Sequence, residues 1–260
     1  MEVVILPTAD DVAGVVAGVL VEALSTLQSP VLGLATGSSP LGVYGRLIEA
    51  HRNGQVSFAH ASAVLLDEYV GLPPGHPQSY RSFLRRELTD SVDLPAERLF
   101  GPEVDGDDLA AAGDRYERLL VELGGVDVQL LGIGSDGHLG FNEPSSSLMS
   151  RTRVKTLAET TRRDNARFFP SFDDVPRHVV TQGLATVLDA RHAVLVATGD
   201  AKAAPVVCAV EGPLTSMCPA SVLQLHPHAT VVVDEAAASR LELGEYYRSV
   251  QADKPRWQVL

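Results

Sequence analysis

The feature that most constrains this chain is its alternation of short apolar runs with longer amphipathic stretches. Runs such as 31–35 and 193–198 are apolar at nearly every position, as in strands that are buried on both faces. Strands of this kind that alternate with helices predict a parallel sheet covered by helices on both sides. Because the 260 residues contain no linker, repeat or low-complexity tract, we expect a single α/β domain over residues 1–260.

One segment, at about 145–176, breaks this rhythm. It is polar, contains several arginines and has few periodic apolar positions. Long irregular insertions in a compact α/β domain are typically lids or binding loops. The sequence therefore predicts a lid insertion at about 145–176 within the single domain.

The composition argues against several kinds of partner. With 21 Lys and Arg against 33 Asp and Glu, the net charge of −12 disfavours nucleic acid and anionic membranes. There is no apolar run of roughly 18 residues and no basic leader, so we expect a cytoplasmic protein. Cys208 and Cys218 lack CxxC spacing and indicate neither a zinc nor a redox site.

Ligands of open parallel sheets bind beyond the carboxyl ends of the strands, so the residues that follow each strand are the candidates. After the second predicted strand, Thr36, Gly37 and Ser38 could hold an anion with backbone N–H groups and hydroxyls at a helix start. An ordinary capped turn is the alternative. Lys202 also lies at a predicted helix start, where a cation opposes the helix dipole, which suggests a nearby anion or simply a surface lysine.

Asp67 and Glu68 end the predicted strand at 63–66. Adjacent strand residues point to opposite faces, so one carboxylate should face the ligand crevice and the other away from it. The apolar residues that lead into the pair indicate partial desolvation, which raises the pKa of a carboxyl group toward that of a useful general base.

The loop after the next buried strand contains glycines 132, 134 and 137, which match the dinucleotide-binding pattern GxGxxG. We reject the match because residues 138–144 have no helical character and Asp136 would present a negative charge to the phosphates. A nicotinamide-dependent oxidoreductase is therefore disfavoured.

The same loop places Asp136, His138 and Glu143 within eight residues. Two carboxylates that flank an imidazole can fix its tautomer and raise its basicity, which makes a proton-transfer unit. No second His or Cys lies close by, so we expect no metal site.

Together these stretches resemble the glucosamine-6-phosphate deaminase family. The resemblance is carried by the loop 132–144 with its Phe-Asn-Glu-Pro ending and by segments 66–72, 150–156 and 220–226. It implies a modified Rossmann-like α/β fold and a cofactor-free hydrolase that converts glucosamine 6-phosphate and water to fructose 6-phosphate and ammonia.

The resemblance also implies roles for individual residues. Asp67 is expected to move a proton from C2 to C1 of the opened sugar, and His138 to open the ring with Asp136 and Glu143 tuning it. The contacts to the sugar phosphate are assigned to Thr36, Gly37, Ser38, Arg167 and Lys202.

An allosteric site, which in some members binds N-acetylglucosamine 6-phosphate, corresponds to Ser146, Arg153, Lys155 and Thr156. Members include monomers and hexamers, so the oligomeric state stays open. The alternatives are a 6-phosphogluconolactonase, which shares the Gly-Asp-Gly-His loop but differs at Glu143, an enzyme for the galactosamine analogue, and a non-catalytic sugar-phosphate sensor.

Overall fold

The computed structural model describes residues 1–106 and 108–255, in which the strands form two sheets. The larger sheet has seven strands in the order β1-β10-β9-β6-β2-β3-β5, and every pairing is parallel. The smaller sheet, β4-β8-β7, is antiparallel. The strands are β1 (Glu2–Leu6), β2 (Val31–Leu34), β3 (Ser62–Leu65), β4 (Asp67–Tyr69), β5 (Leu99–Phe100), β6 (Val128–Leu131), β7 (Arg153–Thr156), β8 (His178–Thr181), β9 (His192–Ala197) and β10 (Ala229–Asp234).

Helices cover both faces of the larger sheet, as predicted. Leu32 and Leu34 pack with α1 and α2, whereas Val31 packs with α4 on the opposite face, where Leu195 of β9 packs with α7. The helices are α1 (Ala9–Thr26), α2 (Leu41–Arg52), α3 (Tyr80–Glu87), α4 (Ala112–Glu122), α5 (Glu159–Asn165), α6 (Leu184–Leu188), α7 (Ala203–Val210), α8 (Glu235–Ala238) and α9 (Gly244–Ala252). None of the helices in the described ranges combines the length and apolar character needed to cross a bilayer.

Two expectations about chain organisation need correction. The apolar run at 63–66 does not continue straight into the acidic pair, because the chain leaves the larger sheet after Leu65 and Asp67 begins β4 of the smaller one. The insertion at 145–176 is also less irregular than its polarity indicated. It contributes β7, which pairs with β8, and the helix α5.

Gly33, in the middle of β2, is required by close packing. Its partner across the sheet, Gln129, is fully buried and lays its side chain over the glycine. A Cβ atom at position 33 would lie 2.1 Å from Gln129 Oε1. The amide is held by a 3.0 Å hydrogen bond from Nε2 to the carbonyl of Leu130, so it has little freedom to move away.

We therefore expect Gly33→Ala to lower the free energy of unfolding by about 1–3 kcal/mol, the usual cost of an overpacked core. Gly14→Ala is the matched control, because Gly14 is exposed within α1 and a Cβ there meets nothing within 4 Å. It should stabilise the protein by about 0.5–1 kcal/mol. Urea unfolding of both variants checks the prediction, and equal effects would refute the packing argument.

Candidate active site

A cavity of about 860 Å³ lies at the carboxyl ends of β2, β3, β6 and β9. Its walls come from the turn after β2, from Leu66 to Tyr69, from the loop after β6 and from α5 with the turn that follows it. The candidate residues Thr36, Gly37, Ser38, Asp67, Asp136, His138, Arg167 and Lys202 all line it. The structure therefore brings together eight of the nine residues that were assigned to catalysis or to the sugar phosphate.

The turn after β2 lines this cavity with Thr36, Gly37 and Ser38. Gly37 has a φ of +95°, a conformation that favours glycine. α2 begins at Leu41, and its N-cap residue Pro40 supplies no side-chain hydrogen bond, so the alternative of an ordinary capped turn is not what the structure contains. The uncapped start of a helix of this length suits an anion.

Two cations face the same cavity. Lys202 lies in the short turn before α7 and donates from Nζ to the carbonyl of Ile133 at 2.7 Å. Burial lowers the pKa of Lys202, while the charge of Asp136 partly offsets that effect. Arg167 is exposed in the turn after α5, with its guanidinium 4.7 Å from the centre of the Phe168 ring.

Asp67 is 5% exposed and lies in the cavity wall. Burial, with a further contribution from the charge of Glu68, raises the pKa of Asp67 well above its ordinary value. A Cβ atom on Gly140 would lie 3.0 Å from both Asp67 Oδ2 and Thr181 Oγ1, so the glycine allows the loop 132–144 to approach the carboxylate. This is a setting in which a carboxylate acts as a general base at moderate pH.

Glu68 is as buried as Asp67, but its carboxylate makes structural hydrogen bonds. Its carboxylate accepts three backbone hydrogen bonds of 2.9 Å, from the N–H groups of Tyr69, Tyr80 and Arg81. Burial raises the pKa of Glu68, and these three bonds lower it again in part. The prediction that the two carboxylates face opposite ways is therefore supported, and Glu68 joins β4 to the start of α3.

Asp136 and His138 form a close pair. His138 Nδ1 lies 2.6 Å from Asp136 Oδ1, which also accepts from the His138 backbone N–H at 3.2 Å. The hydrogen bond to His138 is the main cause of the lowered pKa of Asp136. Because an ionised carboxylate accepts the proton on Nδ1, Nε2 is left for exchange with a ligand.

Gly134 packs directly against the imidazole of this pair. A Cβ atom at position 134 would lie 2.1 Å from the ring of His138. The glycine therefore makes room for a histidine instead of a dinucleotide, which supports the rejection of the GxGxxG match.

Glu143 is the exception among the candidate catalytic residues. The hydroxyl of Thr161 on α5 donates a hydrogen bond to the Glu143 carboxylate, and Thr161 in turn lines the cavity. No hydrogen bond or ion pair joins Glu143 to His138 in the described residues, so Asp136 is the acid that contacts the imidazole directly. The tuning of His138 by Glu143 stays a prediction. The loop residues 139–142, which lie between His138 and Glu143, fold into a tight turn closed by a hydrogen bond from the Asn142 N–H to the Leu139 carbonyl.

An aromatic cluster in the wall of the cavity was not predicted. Tyr69 contacts Tyr80, Phe141 and Phe169, and Tyr80 stacks on Phe141 with an angle of 9° between the rings. Asn165 of α5 donates to the Tyr69 hydroxyl at 3.1 Å. These residues are far apart in sequence, so only their aromatic character could have suggested the cluster.

The candidate allosteric residues lie mostly on β7. Arg153, Lys155 and Thr156 belong to this edge strand, and burial lowers the pKa of Arg153. Ser146 lies in the loop after Glu143 and is 4% exposed. Its hydroxyl has no hydrogen-bond partner within the described ranges. The same ranges contain no group of three His, Cys, Asp or Glu side chains arranged to hold a metal ion.

Comparisons with known proteins show the family of the chain. Residues 7–233 match the family described as glucosamine-6-phosphate isomerases/6-phosphogluconolactonase. The chain is 56% identical to the glucosamine-6-phosphate deaminase of Rhodococcus jostii, with 99% of each chain covered. It is 55% identical to that of an Arthrobacter species, with 100% of each covered.

Solved structures show the same fold. A monomeric glucosamine-6-phosphate deaminase has a TM-score of 0.89 at 41% identity, with 92% of this chain and 100% of that chain covered. The 6-phosphogluconolactonase of Trypanosoma brucei has a TM-score of 0.73 at 22% identity, with 92% and 98% covered. The classification as a hydrolase is wrong, because the relatives are named deaminases and the family description begins with isomerases.

The three bonds to Glu68 generate a prediction about stability. In Glu68→Gln, one acceptor oxygen becomes an NH₂ group that faces a backbone donor, and we expect the free energy of unfolding to fall by about 1–3 kcal/mol. Glu49→Gln changes a 61% exposed side chain that pairs with Arg46 and should change stability by less than about 0.5 kcal/mol. Urea unfolding measures both, and a Glu68 variant as stable as the control would contradict the assignment.

Proposed function

The chain belongs to the family of glucosamine-6-phosphate isomerases and 6-phosphogluconolactonases, and from this premise we propose that it converts glucosamine 6-phosphate and water to fructose 6-phosphate and ammonia. The observation that carries the proposal is the buried Asp67 in the wall of a cavity that two cations also line. An aldose–ketose conversion needs such a base, because a proton must leave one carbon and return to its neighbour.

The phosphate of the substrate is proposed to bind at the turn after β2. The backbone N–H groups at Thr36, Gly37 and Ser38 supply donors, and Lys202 and Arg167 supply charge. These groups provide the local attraction that an anionic substrate needs in a protein with a net charge of −12.

Ring opening is proposed to use Nε2 of His138, which exchanges a proton with the ring oxygen while Asp136 holds Nδ1. Asp67 then removes the proton from C2 and returns it to C1, while the oxygen on C1 gains a proton and the amino nitrogen loses one, so that C1 becomes an alcohol and C2 an imine. Water adds to C2 and ammonia leaves, which gives the ketose. Glu143 is proposed as a positioning residue, because its contact with Thr161 connects the loop 132–144 to α5.

The segment that carries α5 is proposed to act as the lid. It brings Arg167 to the cavity and closes over Tyr69 through Asn165. Closure of such a segment would exclude bulk water from the proton transfer between C2 and C1.

An effector such as N-acetylglucosamine 6-phosphate is proposed to bind at Ser146 and β7. Arg153 on β7 and Asp67 on β4 are both register partners of Thr181 on the intervening strand β8. A shift of β7 would therefore be transmitted through β8 to β4, the strand that carries Asp67. A molar-mass measurement with and without the effector distinguishes a monomer from a homo-oligomer.

The proposal is tested with three substrates. Glucosamine 6-phosphate should give fructose 6-phosphate and ammonia in equal amounts, and faster than galactosamine 6-phosphate gives its own ketose phosphate and ammonia. Hydrolysis of 6-phosphogluconolactone in place of ammonia release would identify the chain as a lactonase. No turnover of any substrate, with binding retained, would identify a sensor.

Asp67→Asn should lower kcat about 10²–10⁴-fold while substrate binding persists, because the amide cannot accept the proton. Asp90→Asn, in an exposed pair with Arg85, is the control and should retain activity. In the wild type, kcat should fall as the pH drops through the raised pKa of Asp67, because protonation removes the base. A pH profile with no acid limb above the ordinary aspartate range, or an active Asp67→Asn variant, would show that another group is the base.

A further inference from the structure

A second cavity, of about 490 Å³, lies at the β5 edge of the larger sheet, between α3, β5 and α4. Its volume is within the range of small-molecule sites. No described residue lines both this cavity and the candidate active site. We name it the edge cavity.

Three arginines line the edge cavity, and they differ in their partners. Arg115 is neutralised, because its Nε lies 2.7 Å from Glu103 Oε2 and its Nη1 lies 3.7 Å from Asp108. Arg81 donates from Nη1 to the carbonyl of Leu99 at 2.6 Å. This bond uses one of its donors, but a neutral carbonyl does not neutralise the positive charge. Arg118 has neither a hydrogen bond nor an ion pair in the part of the chain that the structure describes.

Some exposed arginines of the described residues, such as Arg46, Arg151 and Arg248, each bind a carboxylate. Arg81 and Arg118 share one cavity and form no ion pair with the described residues. In the edge cavity, Glu103 is already bound to Arg115. The remaining carboxylate of the cavity wall, Glu122, forms no ion pair with the described residues. Two guanidinium groups therefore face one concave surface with donors to spare, an arrangement that matches a carboxylate or phosphate.

The rest of the wall is apolar. Phe100 and Leu119 are partly buried there, and the Tyr116 hydroxyl is already used in a 2.7 Å hydrogen bond to the carbonyl of Leu65. The Tyr116 ring therefore offers only its apolar surface to the cavity. We propose that the edge cavity binds a small organic anion, whose phosphate or carboxylate group contacts Arg81 and Arg118 and whose apolar part packs on Phe100 and Leu119.

The edge cavity is connected to the strand that carries Asp67. The backbone N–H of Arg81 donates to Glu68, and Tyr116 holds the carbonyl of Leu65 just before β4. In Arg81→Ala the backbone hydrogen bond to Glu68 is kept, while the guanidinium is lost from the cavity together with its charge, which also lowers the pKa of Glu68. The contribution of the Arg81 guanidinium to binding can therefore be tested in a variant that keeps the backbone hydrogen bond to Glu68.

The test is isothermal titration of the full chain with phenyl phosphate and, separately, with benzoate. Binding of phenyl phosphate alone would show that the site takes phosphate esters. Binding of both probes would show that it takes carboxylates as well. We expect Arg118→Ala and Arg81→Ala each to weaken binding about tenfold or more, the effect of losing one charged hydrogen-bond donor. Arg240→Ala, an exposed arginine outside the cavity, should leave binding unchanged.

Lys202→Ala distinguishes the two cavities, because Lys202 lines only the candidate active site. Binding that persists in this variant and weakens in the Arg81 and Arg118 variants supports the edge cavity. Binding that is lost only in Lys202→Ala, or an absence of binding by either probe, would overturn the proposal. The measurement needs no turnover, so its outcome is independent of the proposed deaminase activity.

Discussion

The position of Asp67 depends on the hydrogen bonds around Gln182, a residue that is 1% exposed. Its backbone N–H donates to the carbonyl of Leu66 at 2.9 Å, and its side-chain amide donates to that of Leu65 at 3.0 Å. Its own carbonyl accepts from Asn142 at 2.7 Å. One buried glutamine thus pairs two backbone carbonyls at the point where the chain leaves the larger sheet, and it also binds the loop 132–144 through Asn142. Without the glutamine N–H, the Leu66 carbonyl would lose its partner at a cost of about 1–3 kcal/mol, whereas the Leu65 carbonyl also accepts from the Tyr116 hydroxyl.

Much of the fold was predictable because its physical causes are local. Apolar runs predict the buried parallel strands, and Thr8 with Asp11 predicts the start of α1, where each side chain accepts the backbone N–H of the other at 3.1 Å. The smaller sheet was not predictable in this way. β7 is polar and only partly buried, so its pairing with β8 depends on contacts between residues about 25 positions apart and not on its own pattern.

The candidate site likewise has some features that the sequence predicts and others that depend on tertiary contacts. The cavity residues follow strand ends, and topology brings such residues together whatever their separation in sequence. The contacts of Glu143 show that nearness along the chain does not by itself fix the partner of a side chain. Between His138 and Glu143, the chain turns tightly at Gly140, whose φ is +58°, and the carboxylate contacts α5 instead of the imidazole. A conformation of this kind depends on tertiary contacts that the sequence pattern does not express.

The adjacent pair Asp67 and Glu68 shows how the fold gives two similar side chains different properties. Both are 5% exposed, yet the three backbone N–H groups that Glu68 accepts stabilise its ionised form. Asp67 is buried without such a set of donors, and the charge of Glu68 further raises its pKa. The carboxylate that anchors α3 therefore also makes its neighbour a stronger base. Helix capping and proton transfer are coupled through one electrostatic interaction, so neither residue can be changed without affecting the other.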